Sequence, residues 1–267
     1  MGIVNATPDS FSDGGRFLAP EAALAQARRL IAEGADILDL GAESTRPGSD
    51  PVPADVEIAR LVPLIEAIRA ESDIVISVDT MKPRVARAAL AAGATIWNDV
   101  TALRHEAASL ETAAELGCEV VLMHMQGEPR TMQHEPHYDD VVAEVRDFLA
   151  ARAEAAMAAG VARGRIWLDP GVGFGKHMLR HNLPLMAGLG QIVALGFPVL
   201  LGASRKSFIG ALSGGAPPDR RVGGSIAAAI AGAEAGVAAV RVHDVAETMQ
   251  ALAVWAAIRQ AGATSPA

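Results

Sequence analysis

Residues 74–99, IVISVDTMKPRVARAALAAGATIWND, decide the fold. Val75–Val78 is a short run, apolar on both faces, which suits a strand covered by helices. It ends in Asp79-Thr80, and Pro83 then opens an Ala-rich stretch. Proline has no N–H to lose at a first helical position, so a helix is expected over Pro83–Ala92. Gly93 stops it, where a left-handed residue is wanted. Thr95–Asn98 is the next strand. The segment is therefore a strand–helix–strand unit, the connection that parallel neighbours require.

The same unit recurs in both directions. Strands are expected at Gly2–Asn5, Ile37–Leu40, Val75–Val78, Thr95–Asn98, Glu119–Met123, Ile166–Leu168, Val199–Leu201 and Ala239–Val242, their starts about 34 residues apart. Helices are expected at Glu21–Glu33, Asp55–Ala70, Pro83–Ala92, Ala107–Leu116, Asp139–Ala159, Leu183–Ala194, Arg220–Ala235 and Val245–Gln260. Gly34, Gly93, Gly117, Gly160, Gly196 and Gly236 punctuate their ends. Eight such units in 267 residues point to an α/β fold, a single (β/α)8 TIM barrel over 1–267 with 263–267 as a frayed tail. A doubly wound sheet is the alternative. The even count and the lack of a second composition zone favour the barrel.

Composition narrows the function classes. The chain is 51% hydrophobic, enough for a large core. Its net charge of −8 excludes a protein-wide basic field for nucleic acid. Cys118 is the only cysteine, which excludes an internal disulfide framework and a cysteine zinc cluster. No apolar run reaches the ~18 residues of a membrane span. Gly2–Val4 is too short for a signal peptide. A cytoplasmic protein is expected, with no nucleic-acid or membrane partner.

In such a barrel the strand C-ends carry the chemistry. Here they end in Asn5, Asp39-Leu-Gly41, Asp79-Thr80, Asn98-Asp99, Asp169-Pro-Gly, Gly202-Ala-Ser-Arg-Lys206-Ser207 and Arg241-Val-His243-Asp244. One Asp at a strand end is usually a helix cap. Seven polar ends in one ring make a site, because buried polar groups need partners. Asp79, Asn98 and Asp169 offer acceptors, whereas Arg46, Lys206 and Arg241 offer positive charge. A carboxylate can take paired hydrogen bonds from an amino-pyrimidine edge, and the basic groups suit phosphate or pyrophosphate. Asn5 could ligate a hard cation such as Mg²⁺. The loop after the first strand, with Phe11 and Asp13, reads either as a mobile lid or as an ordinary surface loop. Gly171-x-Gly173-x-Gly175-Lys176 fits neither a dinucleotide fingerprint nor a P-loop. It reads as a flexible loop over the site, with Phe174 available for stacking. His124, His134 and His137 lack metal-ligand spacing and are expected to be loop and surface histidines. All three lysines, Lys82, Lys176 and Lys206, fall near strand C-ends, in a chain that has 20 arginines.

Taken together, Gly2-Ile-Val-Asn-Ala-Thr-Pro-Asp-Ser-Phe-Ser-Asp-Gly-Gly, Glu43-Ser-Thr-Arg-Pro-Gly, Ser77-Val-Asp-Thr, Asn98-Asp99, Met123-His-Met-Gln-Gly, Asp169-Pro-Gly-x-Gly-Phe-Gly-Lys, Ser204-Arg-Lys-Ser and Arg241-Val-His-Asp resemble the dihydropteroate synthase family of pterin-binding TIM barrels. The resemblance covers nearly the whole chain. It implies a transferase of folate biosynthesis, a homodimer and a sulfonamide target. The reaction joins 6-hydroxymethyl-7,8-dihydropterin pyrophosphate to p-aminobenzoate. It implies that Asp79, Asn98, Asp169 and Lys206 hold the pterin and Met123 packs on its ring. Asn5, Thr45, Arg46, Arg241 and His243 would hold pyrophosphate, with Asn5 on Mg²⁺. Phe11, Pro47, Phe174, Lys206 and Ser207 would enclose p-aminobenzoate. Asp13, Asp79, Lys206, Arg241 and His243 would serve catalysis. Family members usually carry more residues before the first strand. Either the true start lies upstream, or the barrel floor is less well plugged here. A pterin-binding methyltransferase barrel would share the acceptor floor but has no use for Phe11 or Ser204–Ser207. A catalytically silent pterin binder would not need Asn5, Arg46, Arg241 and His243.

Overall fold

The computed structural model describes residues 1–6, 18–43, 51–128 and 131–264. Eight strands run parallel: β1 (Gly2–Asn5), β2 (Ile37–Gly41), β3 (Val75–Asp79), β4 (Ile96–Asp99), β5 (Glu119–Met123), β6 (Ile166–Asp169), β7 (Leu200–Leu201) and β8 (Ala239–Val240). The first six pair in sequence order, and β7 pairs with β8. Two single bridges, Leu168 to Val199 and Gly2 to Val242, join the two groups. Around the second, Ile3 N–H donates to Val242 O and Val242 N–H to Met1 O, both within 3.1 Å. The strands thus close into a ring. β7 is one residue shorter than the expected Val199–Leu201, and Val199 pairs with Leu168 of β6 in a single bridge instead.

Among the described residues ten helices connect and follow the strands: α1 (Leu18–Ala32), α2 (Ala54–Arg69), α3 (Pro83–Ala91), α4 (Ser109–Leu116), α5 (Val141–Ala158), α6 (Asn182–Ala187), α7 (Leu189–Val193), α8 (Ser207–Leu212), α9 (Val222–Ala235) and α10 (Val245–Thr264). The helix expected over Leu183–Ala194 is two, α6 and α7, meeting at Gly188. A Cβ there would stand 2.6 Å from Val142 of α5, so glycine lets the helices approach. Gly93, Gly117 and Gly236 all have positive φ, as helix stops require. Helix α10 runs through Thr264, into the expected frayed tail, and residues 265–267 lie outside the described residues.

Strand alternation sorts the side chains into two layers. Leu38, Leu40, Ile76, Val78, Leu122, Ile166 and Leu168 are fully buried in the main core with helix residues Leu30, Leu61, Ile65 and Leu149. A second cluster lies at the barrel floor: Met1, Ile96, Val121 and Leu200, with Ile37, Trp167 and Ala239 against it. A cavity of about 310 Å³ lined by Met1, Ile37, Trp167, Ala239 and Val242 lies against this cluster, so the floor is filled only in part. Nearer the strand C-ends the inward positions include Asp39, Asp79, Asn98 and Asp169, with Met123 among them.

Candidate active site

The parallel register sets Asp79 beside Gly41 and Asn98, and Asp169 beside Met123. Asn98 and Asp169 are buried, and Asp39, one pair of residues below Gly41 on β2, is wholly buried. Arg241, just past β8, gathers this ring. Its Nε donates to Asp39 Oδ2 at 2.5 Å and its Nη2 to Asp79 Oδ2 at 2.9 Å. Asn98 Nδ2 also donates to Asp39, at 3.2 Å, so the amide oxygen Oδ1 is left to accept from a ligand. Asp39, counted among the polar strand ends, was given no role of its own from the sequence. Its signal was there: a carboxylate between Leu38 and Leu40, on the same strand face as Gly41.

Burial shapes the charges. It pushes the Asp79 carboxyl up to about 7, against the pull of Arg241, and Asp39 and Asp99 add to the rise. Burial raises Asp169 too, although Lys206 and the Gly171 N–H oppose it. For Arg241 burial works against the charge, but Asp39 and Asp79 outweigh it and hold the guanidinium above its ordinary value. Lys206 is lowered to about 8 by burial, with Asp169 resisting. A carboxylate raised in this way is short of donors, and an incoming N–H edge would supply them.

Lys206 precedes α8. Its Nζ donates to Val172 O and lies 4.3 Å from the centre of the Phe174 ring. Ser207, exposed, opens α8, which is not among the eight expected helices. Met123 is buried with Val100, Met125 and Met132, and Met81 and Phe174 pack on this apolar patch. Ser204 Oγ lies 3.0 Å from His243 Nδ1 and accepts the His243 backbone N–H at 3.2 Å. Arg205 pairs with Asp244 beside them. Asn5 ends β1 half-buried, with no side-chain hydrogen bond among the described residues. Phe11, Asp13, Thr45, Arg46 and Pro47 lie outside the described residues.

Three expectations change. The 171–176 segment is tied down rather than flexible: Lys176 is buried and its Nζ reaches His124 Nδ1, Gly171 O and Phe174 O at 2.8–3.0 Å. His124 is accordingly a buried partner of Lys176, whereas His134 and His137 are exposed as expected. Asp99 does not face the ring. It caps the turn after β4, accepting from Thr101 N, Thr101 Oγ1 and Leu103 N at 2.7–2.8 Å. Lys82 lies behind the ring, paired with Glu43 at 2.6 Å and with the wholly buried Glu57 of α2. Glu43 also accepts from Val52 N at 2.9 Å, which ties the two flanks of 44–50 together.

A barrel with a ring of buried acceptors and cations at its strand C-ends defines the class. The family model "Pterin binding enzyme" matches residues 1–243. The chain belongs to the pterin-binding enzyme family. It is 46% identical to the dihydropteroate synthase of Haemophilus influenzae, over 98% of this chain and 94% of that one. The Xanthomonas albilineans dihydropteroate synthase solved with 4-aminobenzoic acid superimposes with a TM-score of 0.92 at 51% identity, covering 100% of this chain and 93% of that one. The Yersinia pestis dihydropteroate synthase in a sulfonamide drug complex does so with a TM-score of 0.91 at 44% identity, covering 98% and 93%. Within its family the chain sorts with the dihydropteroate synthases, and its activity is that transfer: 6-hydroxymethyl-7,8-dihydropterin pyrophosphate and p-aminobenzoate give 7,8-dihydropteroate and pyrophosphate.

Proposed function

We propose that the transfer is dissociative: the C–O bond to pyrophosphate breaks first, and the neutral amine of p-aminobenzoate then attacks the pterin methylene cation and loses a proton. The observation that carries this reading is the buried acceptor ring. Asp79, Asp169 and Asn98 Oδ1 are short of donors, and a 2-amino-4-oxo pyrimidine edge offers them. Met123 and its apolar neighbours give the pterin ring a flat contact. Lys206 donates beside Asp169. Asp79, with Asp13 from the first loop, favours the cation electrostatically.

Arg241 keeps Nη1 without a bond to any described residue, so it can hold Asp79 and still donate to pyrophosphate. His243 joins it, oriented by Ser204, and Thr45, Arg46 and Asn5 complete the anion site. Phe11, Pro47, Phe174, Lys206 and Ser207 enclose p-aminobenzoate, with the Ser207 end of α8 toward its carboxylate. Sulfonamides would occupy that same place. The Asn5 amide oxygen, uncommitted among the described residues, fits a hard cation such as Mg²⁺. Among the described residues no group of three or more His, Cys, Asp and Glu could hold a metal ion. When bound, Mg²⁺ neutralises charge on the departing group. Activity is expected to vanish with chelator and to return with Mg²⁺ alone.

We place a second copy of the chain on the α9–α10 side, where Val254 is 56% and Ile258 66% exposed. Among the described residues no helix is long and apolar enough to cross a membrane. A cytoplasmic setting, with the whole of 1–267 as one domain, completes the reading. The dissociative step is tested with pterin pyrophosphate carrying ¹⁸O in the bridging position and no p-aminobenzoate. Bond cleavage and return scrambles the label. A bridge oxygen that stays in place over many turnover times refutes the early cleavage.

A further inference from the structure

Five consecutive carbonyls, residues 171–175, are each met by a side-chain donor. Gly171 O and Phe174 O take Lys176 Nζ at 2.9 and 3.0 Å, and Val172 O takes Lys206 Nζ. Gly173 O takes Gln133 Nε2 at 2.6 Å, and Gly175 O takes Tyr138 Oη at 2.8 Å. Lys176 is 1% exposed, and no ion pair holds it among the described residues. Its other neighbours are His124 Nδ1 at 2.8 Å and His124 O at 3.3 Å. Burying an amine without a carboxylate is costly, and its pKa is lowered by that burial. The backbone is fitted just as closely. A Cβ at Gly171 would lie 1.9 Å from His124 O, and one at Gly175 2.3 Å from Gln126 O.

We infer that Lys176 is a positioning residue: its buried amine is the hub on which residues 171–175 fold, and this sets Val172 O and the Phe174 ring against Lys206. Lys176 itself donates at Gly171 and at Phe174, the two ends of the stretch that carries both groups Lys206 touches. Removing it leaves Gly171 O with the Phe174 N–H alone and takes the lysine donor from Phe174 O, so the stretch that carries Val172 and Phe174 loses its fixed place. The route from Lys176 to p-aminobenzoate rests on the proposed place of Phe174 in that site.

The test is Lys176→Met, read by amide hydrogen exchange and by steady-state kinetics on the full chain. Exchange at 171–176 is expected to quicken at least tenfold. The KM for p-aminobenzoate should rise at least tenfold while kcat stays within threefold, a split that general destabilisation does not produce. Unchanged exchange overturns the inference, and so does quicker exchange with both substrate KM values unmoved. Phe174→Ala separates the two readings. If it leaves the p-aminobenzoate KM unmoved, the placement of that site is wrong, and the hub is judged by exchange alone. If Lys176→Met does not fold, Lys176→Gln, a shorter side chain that cannot reach both Gly171 O and Phe174 O, is read in the same way: quicker exchange at 171–176 supports the hub, and a wild-type pattern overturns it.

Discussion

Replacing Asp39 by Asn keeps the shape of a wholly buried side chain and removes its charge. Asp39 and Asp79 share one guanidinium, at 2.5 and 2.9 Å from Arg241 Nε and Nη2. Their charge centres are then about 6 Å apart, and at an effective dielectric of ~20 their repulsion is about 2.8 kcal/mol. That is about two pKa units on Asp79 at most. Asp39→Asn removes this repulsion and leaves Arg241 with Asp79 alone, so both effects lower the Asp79 pKa. In the wild type the free-enzyme kcat/KM should fall as pH drops through about 7, where Asp79 takes up a proton, and again above about 8, where Lys206 loses one. In Asp39→Asn the acid limb should move down by one to two units, with the alkaline limb nearly fixed. The linked stability has a definite sign. The folded state holds the Asp79 proton up to about 7 and the unfolded chain only to about 4, so this group's contribution declines as pH rises through that window. The variant shows less of that decline. The cost is the lost charged hydrogen bond to Arg241, about 1.5–3 kcal/mol. The assay is kcat/KM against pH from 5 to 9, with urea unfolding at each end. An acid limb that stays near its wild-type position, or moves up, refutes the assignment of Asp79 and the coupling through Arg241.

Asp169→Ala takes one charged acceptor from the pterin, so affinity measured by calorimetry should fall at least tenfold, from a loss of about 1.5–3 kcal/mol. p-Aminobenzoate should bind measurably only once Mg²⁺ and pyrophosphate are present, because Asn5, Arg46 and Arg241 then share one anion, and equal titrations with and without pyrophosphate would rule this out. Lys82→Met strands the buried Glu57 beside Thr80 and should cost about 3–5 kcal/mol in urea unfolding at pH 7.5. The loss should shrink toward pH 5, as Glu57 takes up a proton instead; a pH-independent loss would show that packing and not charge is at stake.

The repeat of apolar runs, Ala-rich helices and glycine stops determined the eight units and their order, because those signals are local: periodicity, a proline at a first turn, a left-handed glycine. The acceptor and cation ends of the strands were legible for the same reason, since position on a strand fixes the face a residue presents. What the tertiary structure alone decided is which of these ends share a proton or a charge. Asp39 and Arg241 are 202 residues apart, and only barrel closure through Gly2 and Val242 brings β8 next to β1 and sets the guanidinium between two carboxylates. Asp99, next to Asn98, read as part of the ring, yet the turn after β4 turns it to Thr101 and Leu103. Glycines and a lysine at 171–176 looked like a flexible loop. Their rigidity comes from Tyr138, Gln133 and His124, donors and acceptors at 37 to 52 residues' distance whose convergence no local pattern encodes. Local propensity sets the elements, whereas a buried charge takes its value from every charge the closed barrel places within a few ångströms of it.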